Sequence, residues 1–348
     1  MKENNAAHDL EGRVLGNGWK VDEKIIRPAH ATGAFFSVGY KVTKNSSLFF
    51  LKAFDFAKFF QLAPGKKVVD IMADMLSAYR YERELSHLCE NQHVTKVSFV
   101  RDAGEEIVDG HSISIVPYLV FDMAEGDVRC KLDISEKLDF SWRLHSLHDI
   151  AVGLQQLHNI EVSHQDLKPS NILLFKDESK IGDLGRSVCR QITSPHDDAA
   201  FSGDFSYAPP EIMYGYHEPD WHKRVFAADC YLLGSMVTYY FSGISMSALI
   251  VKYIPLELRW DQWCGPYEQI KPYIADAFSQ ALHEFEESVS NTDFTNDLRW
   301  IVERLCYPFP EERGHPKNIA RAGSSYSLER FITKFDLLHK RARYNLIH

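Results

Sequence analysis

The stretch SHQDLKPSNILLF, residues 163–175, places Asp166, Lys168 and Asn171 within six residues. An ionised aspartate only accepts hydrogen bonds, so Asp166 could orient a hydroxyl and take its proton. Lys168 is a point charge suited to a phosphate oxygen. The amide oxygen of Asn171 is a hard donor of the kind Mg²⁺ prefers. Base, cation and metal ligand at this spacing point to phosphoryl transfer, in which a protein mostly positions groups and offsets charge.

Such a loop needs rigid framing. Upstream, Leu144, Leu147, Ala151, Leu154 and Leu157 recur at three- and four-residue steps over 142–158, which predicts a helix with one apolar stripe. Downstream, NILL predicts a buried strand. Further towards the N-terminus, WKVDEKIIRP, FFSVGYKV and SLFFLKAF read as strands separated by turn clusters. A helix is expected over about 68–90 and strands over about 95–101 and 111–121, with RDAGEEIVDG as a polar turn between them. Beyond EGD (125–127) the chain reads mostly as helix. The expected fold class is α+β and bilobal: a small β-rich N-terminal lobe and a larger helical C-terminal lobe, joined near residues 121–127.

Composition narrows the function classes. The 348 residues carry a net charge of −9, which argues against nucleic acid as the main partner. The six cysteines (Cys89, Cys130, Cys189, Cys230, Cys264, Cys306) show no CxxC pair or metal-ligand spacing, so a reducing, cytoplasmic setting is expected. The start MKENNAAHDLEGRV does not read as a signal peptide. Residues 230–251 are uncharged and long enough to span a membrane, but Gly234, Gly243 and several serines interrupt them. The expectation is a buried core helix with a turn near Gly243, and no membrane partner. HKRAR at 339–343 sits in the last turns of a predicted helix, where basic residues suit the helix dipole.

HQDLKPSN resembles the catalytic loop of eukaryotic-type protein kinases, and IGDLGRS resembles their magnesium-binding motif, with Leu184 where Phe is usual. The lysine two residues after the aspartate is similar to the Ser/Thr members. The resemblance covers about residues 20–320 and implies a protein-kinase-like fold: an extension at 1–19, an N-lobe at 20–121, a C-lobe at 122–325 and a C-terminal helix at 326–348. It also implies a catalytic set of Asp166, Lys168, Asn171, Lys52 and Glu84. Glu84 is preferred over its neighbour Glu82 because Leu88 would then pack one turn on. Nucleotide contacts are implied for Gly33, Lys52, the backbones of Asp122 and Ala124 beside Phe121, Asp127 near the ribose, and Asp183. Asn171 and Asp183 are the implied metal ligands, with ATP and Mg²⁺ as cofactors. Glu211 of YAPPE would pair with Arg313, and Asp229 would brace the catalytic loop.

Four departures bear on this. Only Gly33 and Gly39 remain of a loop that usually has three glycines. Phe50 stands where a small residue usually lies above the adenine ring. Gln165 replaces the arginine before the catalytic aspartate, and Asp204 replaces a threonine that usually contacts it. None removes Lys52, Asp166, Asn171 or Asp183. The expected activity is Mg-ATP-dependent phosphorylation of protein Ser or Thr hydroxyls, including the chain's own, with a regulatory protein as a further expected partner. The rivals are a nucleotide-binding scaffold without catalysis, motivated by the degraded loop and Phe50, and a small-molecule kinase. Taken singly, each residue has a plainer role: an aspartate in a turn is usually a cap, a Lys–Glu pair is usually a weak surface bridge, and His164 suits a buried structural histidine.

Overall fold

The computed structural model describes residues 5–26, 37–62, 65–134, 139–290, 293–321 and 325–347. The chain divides into two compact units. The first holds the residues through Glu125 together with Gly182–Gly185 and Ile192–Pro195; the second holds the remainder.

Five antiparallel strands build the first unit: β1 (Lys20–Lys24), β2 (Ser37–Lys44), β3 (Ser47–Phe54), β4 (Val100–Ile107) and β5 (Ile115–Asp122), in the order β1-β2-β3-β5-β4. Two helices lie between β3 and β4, α1 (Phe56–Leu62) and α2 (Val68–Asn91). The turn at Asn45 and Ser46, both with positive φ, closes the β2–β3 hairpin. Residues 5–19, set apart above as an extension, contribute Ala6, Ala7, Leu10, Leu15 and Trp19 to the same core as Tyr40, Leu51 and Tyr118. The position of β4 corrects the expected polar turn at 101–110. Most of that stretch is strand, because β4 is the sheet's edge and can carry charged side chains, with Asp102 engaged by Asn17 and Trp19.

The second unit opens with β6 (Gly126–Asp127), α3 (Val128–Ile134) and α4 (Phe140–Asn159), followed by β7 (Val162–Ser163), β8 (Ile172–Phe175), β9 (Glu178–Ile181) and β10 (Val188–Cys189). Helices complete it: α5 (Pro210–Met213), α6 (Trp221–Ser242), α7 (Met246–Tyr253), α8 (Tyr267–Ser288), α9 (Thr295–Leu305), α10 (Pro316–Ile319) and α11 (Glu329–Ile347). The stripe expected on α4 is buried throughout, with Leu144, Leu147, Ala151, Leu154 and Leu157 all inaccessible. Asp139 caps the start of α4 by accepting from the Trp142 amide at 2.9 Å.

The apolar segment 230–251 is interior. Helix α6 ends at Gly243, whose φ of 76° suits glycine, and α7 leaves at 84° to it. Among the described residues no single helix is long and apolar enough to cross a membrane.

Candidate active site

The residues singled out from the sequence fall in both units, and each set is built within its own. In the first unit, Lys52 lies on β3 and its Nζ contacts both Glu82 oxygens at 2.9 Å and Asp183 Oδ1 at 2.9 Å. Glu84 is not the partner. The buried stripe of α2 runs through Ile71, Met75, Tyr79, Glu82, Leu85 and Cys89, whereas Glu84 lies two residues round the helix and faces solvent. That stripe was a usable signal, since its three- and four-residue steps reach 82 and miss 84. Leu88, expected to pack one turn on, is only half-buried and lies off the centre of the stripe.

Burial by itself lowers the pKa of the Lys52 ammonium, but the charges of Asp183 and Glu82 outweigh it and hold the group above the usual lysine value. The same burial raises the carboxyl of Glu82, with Lys52 opposing. Gly185 makes room for this cluster, since a Cβ there would come within 3.2 Å of Glu82 Oε2 and 3.3 Å of Asp183 Oδ1. Asp183 itself holds a left-handed φ of 60°, a cost tolerated mainly where surrounding contacts enforce it. Removing the charge in Glu82→Gln should lower kcat/KM at least about tenfold, about 1.4 kcal/mol. Glu84→Gln should stay within about twofold. Steady-state kinetics of the two variants side by side check the assignment, and equal losses would refute it.

Phe50 shares the Lys52 face of β3, two residues away, with its ring 6.3 Å from that of Phe121. Its ring also covers Gly39, where a Cβ would lie 2.9 Å from Phe50 Cε2. Gly33 lies outside the described residues. Asp122 ends β5 opposite Phe49, and its carboxylate is bound by Arg101 at 2.6–3.0 Å. Ala124 follows, half-buried.

In the second unit, Asp166 is 6% exposed and firmly held. Its Oδ1 accepts from the Asp204 amide at 2.8 Å. Its Oδ2 accepts from Asn171 Nδ2 at 3.0 Å and lies 3.1 Å from Lys168 Nζ. The Asn171 amide also donates to the Asp166 carbonyl at 2.8 Å, which fixes the loop against itself. A carboxylate offers about four acceptor positions, so these three partners leave one, among the described residues, for an incoming hydroxyl.

Asp229, fully buried on α6, braces the loop from behind. It accepts from the amides of His164 and Gln165, both at 2.9 Å, from Ser163 Oγ at 2.8 Å and from His158 Nε2 at 2.9 Å. Burial would raise its carboxyl pKa, but the His158 contact and the amide donors hold it below the usual range. His164 is fully buried, and its Nδ1 accepts from the Asp166 amide at 3.3 Å. Asp127, on β6, is engaged by Arg129 at 2.8–2.9 Å.

Two sequence departures acquire definite places. Gln165 has φ 64° and turns its amide inward, donating to Ser163 Oγ at 2.8 Å and Val225 O at 3.0 Å. Asp204 does more than stand in for a hydroxyl. Its amide positions Asp166 while its carboxylate contacts Lys168 at 3.3 Å, so the lysine lies between two acids. Burial opposes ionisation of Asp204, yet the Ser206 donors and Lys168 keep its carboxyl below the usual value. Gly203 permits the approach: a Cβ there would sit 2.1 Å from the Gln165 carbonyl oxygen. This double use of Asp204, through backbone and side chain together, was not foreseen from sequence, where it read as the loss of a threonine contact.

Comparison with known proteins follows the same lines. A protein kinase domain model matches residues 67–314. The serine/threonine-protein kinase par-4 of Caenorhabditis briggsae is 29% identical over 194 residues, 54% of this chain and 26% of its own length. The dual specificity protein kinase shkE of Dictyostelium discoideum is 30% identical over 143 residues, 40% of this chain and 19% of its own. The mitogen-activated protein kinase spm1 of Schizosaccharomyces pombe is 25% identical over 166 residues, 46% and 38% respectively. The chain thus spans well under half the length of each of these relatives.

Proposed function

The chain belongs to the eukaryotic-type protein kinase family, and from that premise we propose that it transfers the γ-phosphate of Mg²⁺-bound ATP to Ser or Thr hydroxyls of protein substrates, itself included. The observation that carries the proposal is the Asp166 carboxylate, fixed by Asp204, Asn171 and Lys168 with one acceptor position to spare. Asp166 orients the acceptor hydroxyl and takes its proton as the oxygen attacks phosphorus. Lys168 offsets the charge that gathers on the transferring phosphoryl oxygens. In the first unit Lys52, held by Glu82, binds the nucleotide phosphates. Asp183 in the first unit and Asn171 in the second each offer a hard oxygen of the kind Mg²⁺ prefers, the nitrogen of Asn171 being committed to Asp166. That ion supplies charge neutralisation at the phosphates. The substrates lie in the cytoplasm on this reading.

Phe50, on the Lys52 face of β3, favours a second reading in which nucleotide binds without transfer. One assay separates the two. The chain is incubated with γ-labelled ATP, Mg²⁺ and either a generic Ser/Thr substrate protein or small-molecule hydroxyl acceptors, phosphoamino acids are then identified, and nucleotide binding is measured in parallel. Labelled phosphoserine or phosphothreonine supports the kinase. Nucleotide binding without label supports the scaffold, and label appearing only on an added small molecule overturns both.

The family's usual switch pairs a phosphorylated activation-segment residue with the arginine before the catalytic aspartate. Here Gln165 is neutral and turned into the second unit, while Ser187 and Ser202 are buried, Ser202 donating to Arg186 O. Activity should therefore not depend on phosphate at Ser187, Thr193, Ser194 or Ser202. Replacing all four by Ala should leave kcat on an added substrate within about tenfold, a change of about 1.4 kcal/mol. A greater loss, restored by an acidic replacement at any one of them, would reinstate a phospho-switch acting through Arg186 or Arg190.

A further inference from the structure

Away from the residues discussed so far, α4 carries His145, His148 and Asp149 at i, i+3 and i+4, so the three share one face. One ligand atom from each can be chosen so that all three lie within 4.8 Å of one another. His145 Nε2 is 3.8 Å from Asp149 Oδ2, and His148 Nδ1 is 3.7 Å from Asp149 Oδ1. Both separations exceed hydrogen-bond length. Each is about 0.4–0.5 Å longer than the spacing of about 3.3 Å that two donors adopt around a tetrahedral zinc with bonds of about 2.0–2.1 Å, and the two contacts use different oxygens of Asp149.

We propose that His145, His148 and Asp149 bind a borderline divalent cation, Zn²⁺ above all, with water completing the coordination. The donor set decides the class of ion. Two imidazole nitrogens disfavour Mg²⁺ and Ca²⁺, which take oxygen, and one carboxylate supplies the anionic charge a dication needs. Asp149 is 1% exposed and its Oδ2 also accepts from the Ser179 amide of β9 at 3.0 Å, so the carboxylate is preoriented as metal ligands usually are. The histidines remain open enough for an ion to enter, with side chains 40% and 26% exposed. From α11, the His339 ring lies 4.9 Å from that of His145, tilted by 39°, and is held by the Ser141 carbonyl at 2.8 Å, closing one side. Through Asp149 and Ser179 the ion would tie α4 to the β8–β9 ribbon that follows the catalytic loop.

The test uses the full chain, stripped with chelator and held in millimolar Mg²⁺ so that hard-oxygen sites are filled. Zn²⁺ is titrated by calorimetry, and Co²⁺ is added as a spectroscopic probe. The expected result is one saturable ion per chain, visible Co²⁺ d–d bands, and a thermal midpoint that rises with Zn²⁺ concentration. His145→Ala and His148→Ala should each weaken Zn²⁺ at least about tenfold. His145→Gln, which keeps the bulk of the ring's place, guards against a folding defect. His283→Ala, an exposed histidine on α8, should change nothing. Absence of saturable binding, or undiminished binding in both the His145 and His148 variants, overturns the site.

Discussion

Replacing Asp166 by Ala is expected to lower kcat by at least about two orders of magnitude, about 2.7 kcal/mol, while nucleotide affinity barely changes. The reason lies in what Asp166 touches. Its carboxylate is bound by the Asp204 amide, Asn171 and Lys168, all within the second unit, and its remaining acceptor position is the one a hydroxyl would use. Nucleotide phosphates are assigned instead to Lys52 and Asp183 in the first unit. Loss at the acceptor should therefore appear in kcat and not in the binding constant. Alanine also strands three donors, so Asp166→Asn serves as the companion variant, keeping shape while removing basicity. Rates from labelled-phosphate transfer and affinities from nucleotide calorimetry decide the point. Wild-type transfer in both variants would remove Asp166 from the chemistry, and a parallel fall in affinity would make its role structural.

The second large effect concerns stability. Arg313 is fully buried and Glu211 is 4% exposed, joined in a two-point contact at 2.8 and 2.9 Å. Desolvation opposes the guanidinium, but Glu211 outweighs it and raises its pKa further. Arg313 also donates to Tyr307 O at 2.9 Å and to Ala227 O at 2.9 Å on α6, two residues before Asp229. Arg313→Ala leaves Glu211 charged, buried and without this partner, a situation that costs about 3–5 kcal/mol. Against a typical domain stability of about 5–15 kcal/mol, much of the margin is lost. Chemical denaturation should show it as a lower midpoint. The double variant Glu211→Leu/Arg313→Met should lose less than Arg313→Ala, because no charge is stranded. If both variants lose the same amount, the carbonyls that Arg313 satisfies matter more than the ion pair.

A good part of the candidate site was legible from residue order alone. Asp166, Lys168 and Asn171 stand out by residue type and spacing within one loop, and Asp183 by the resemblance of IGDLGRS to a family motif. The pairing of Glu211 with Arg313 and the bracing role of Asp229 were also expected, and the structure places these side chains in those contacts. Local spacing served because a tight loop brings residues five apart into contact whatever surrounds it, as Asn171 and Asp166 are.

Where a side chain's role depends on which elements pack against it, tertiary structure decided. Glu82 and Glu84 are equal as residue types, and the burial of one face of α2, which its apolar stripe foreshadows, sends Glu82 to Lys52. RDAGEEI reads as a turn by polarity, yet it becomes strand because it pairs with β5 as the edge of the sheet. Residues 5–19 carry no motif, and only the packing of Leu10, Leu15 and Trp19 makes them part of the first unit's core. Asp204 lies thirty-eight residues from Asp166, and its two contacts exist because Gly203 lets the segment touch the Gln165 carbonyl. Sequence determined which chemical groups this chain could bring to a reaction. Packing decided which of them meet, because burial selects one face of a helix and one edge of a sheet, and composition is silent about both.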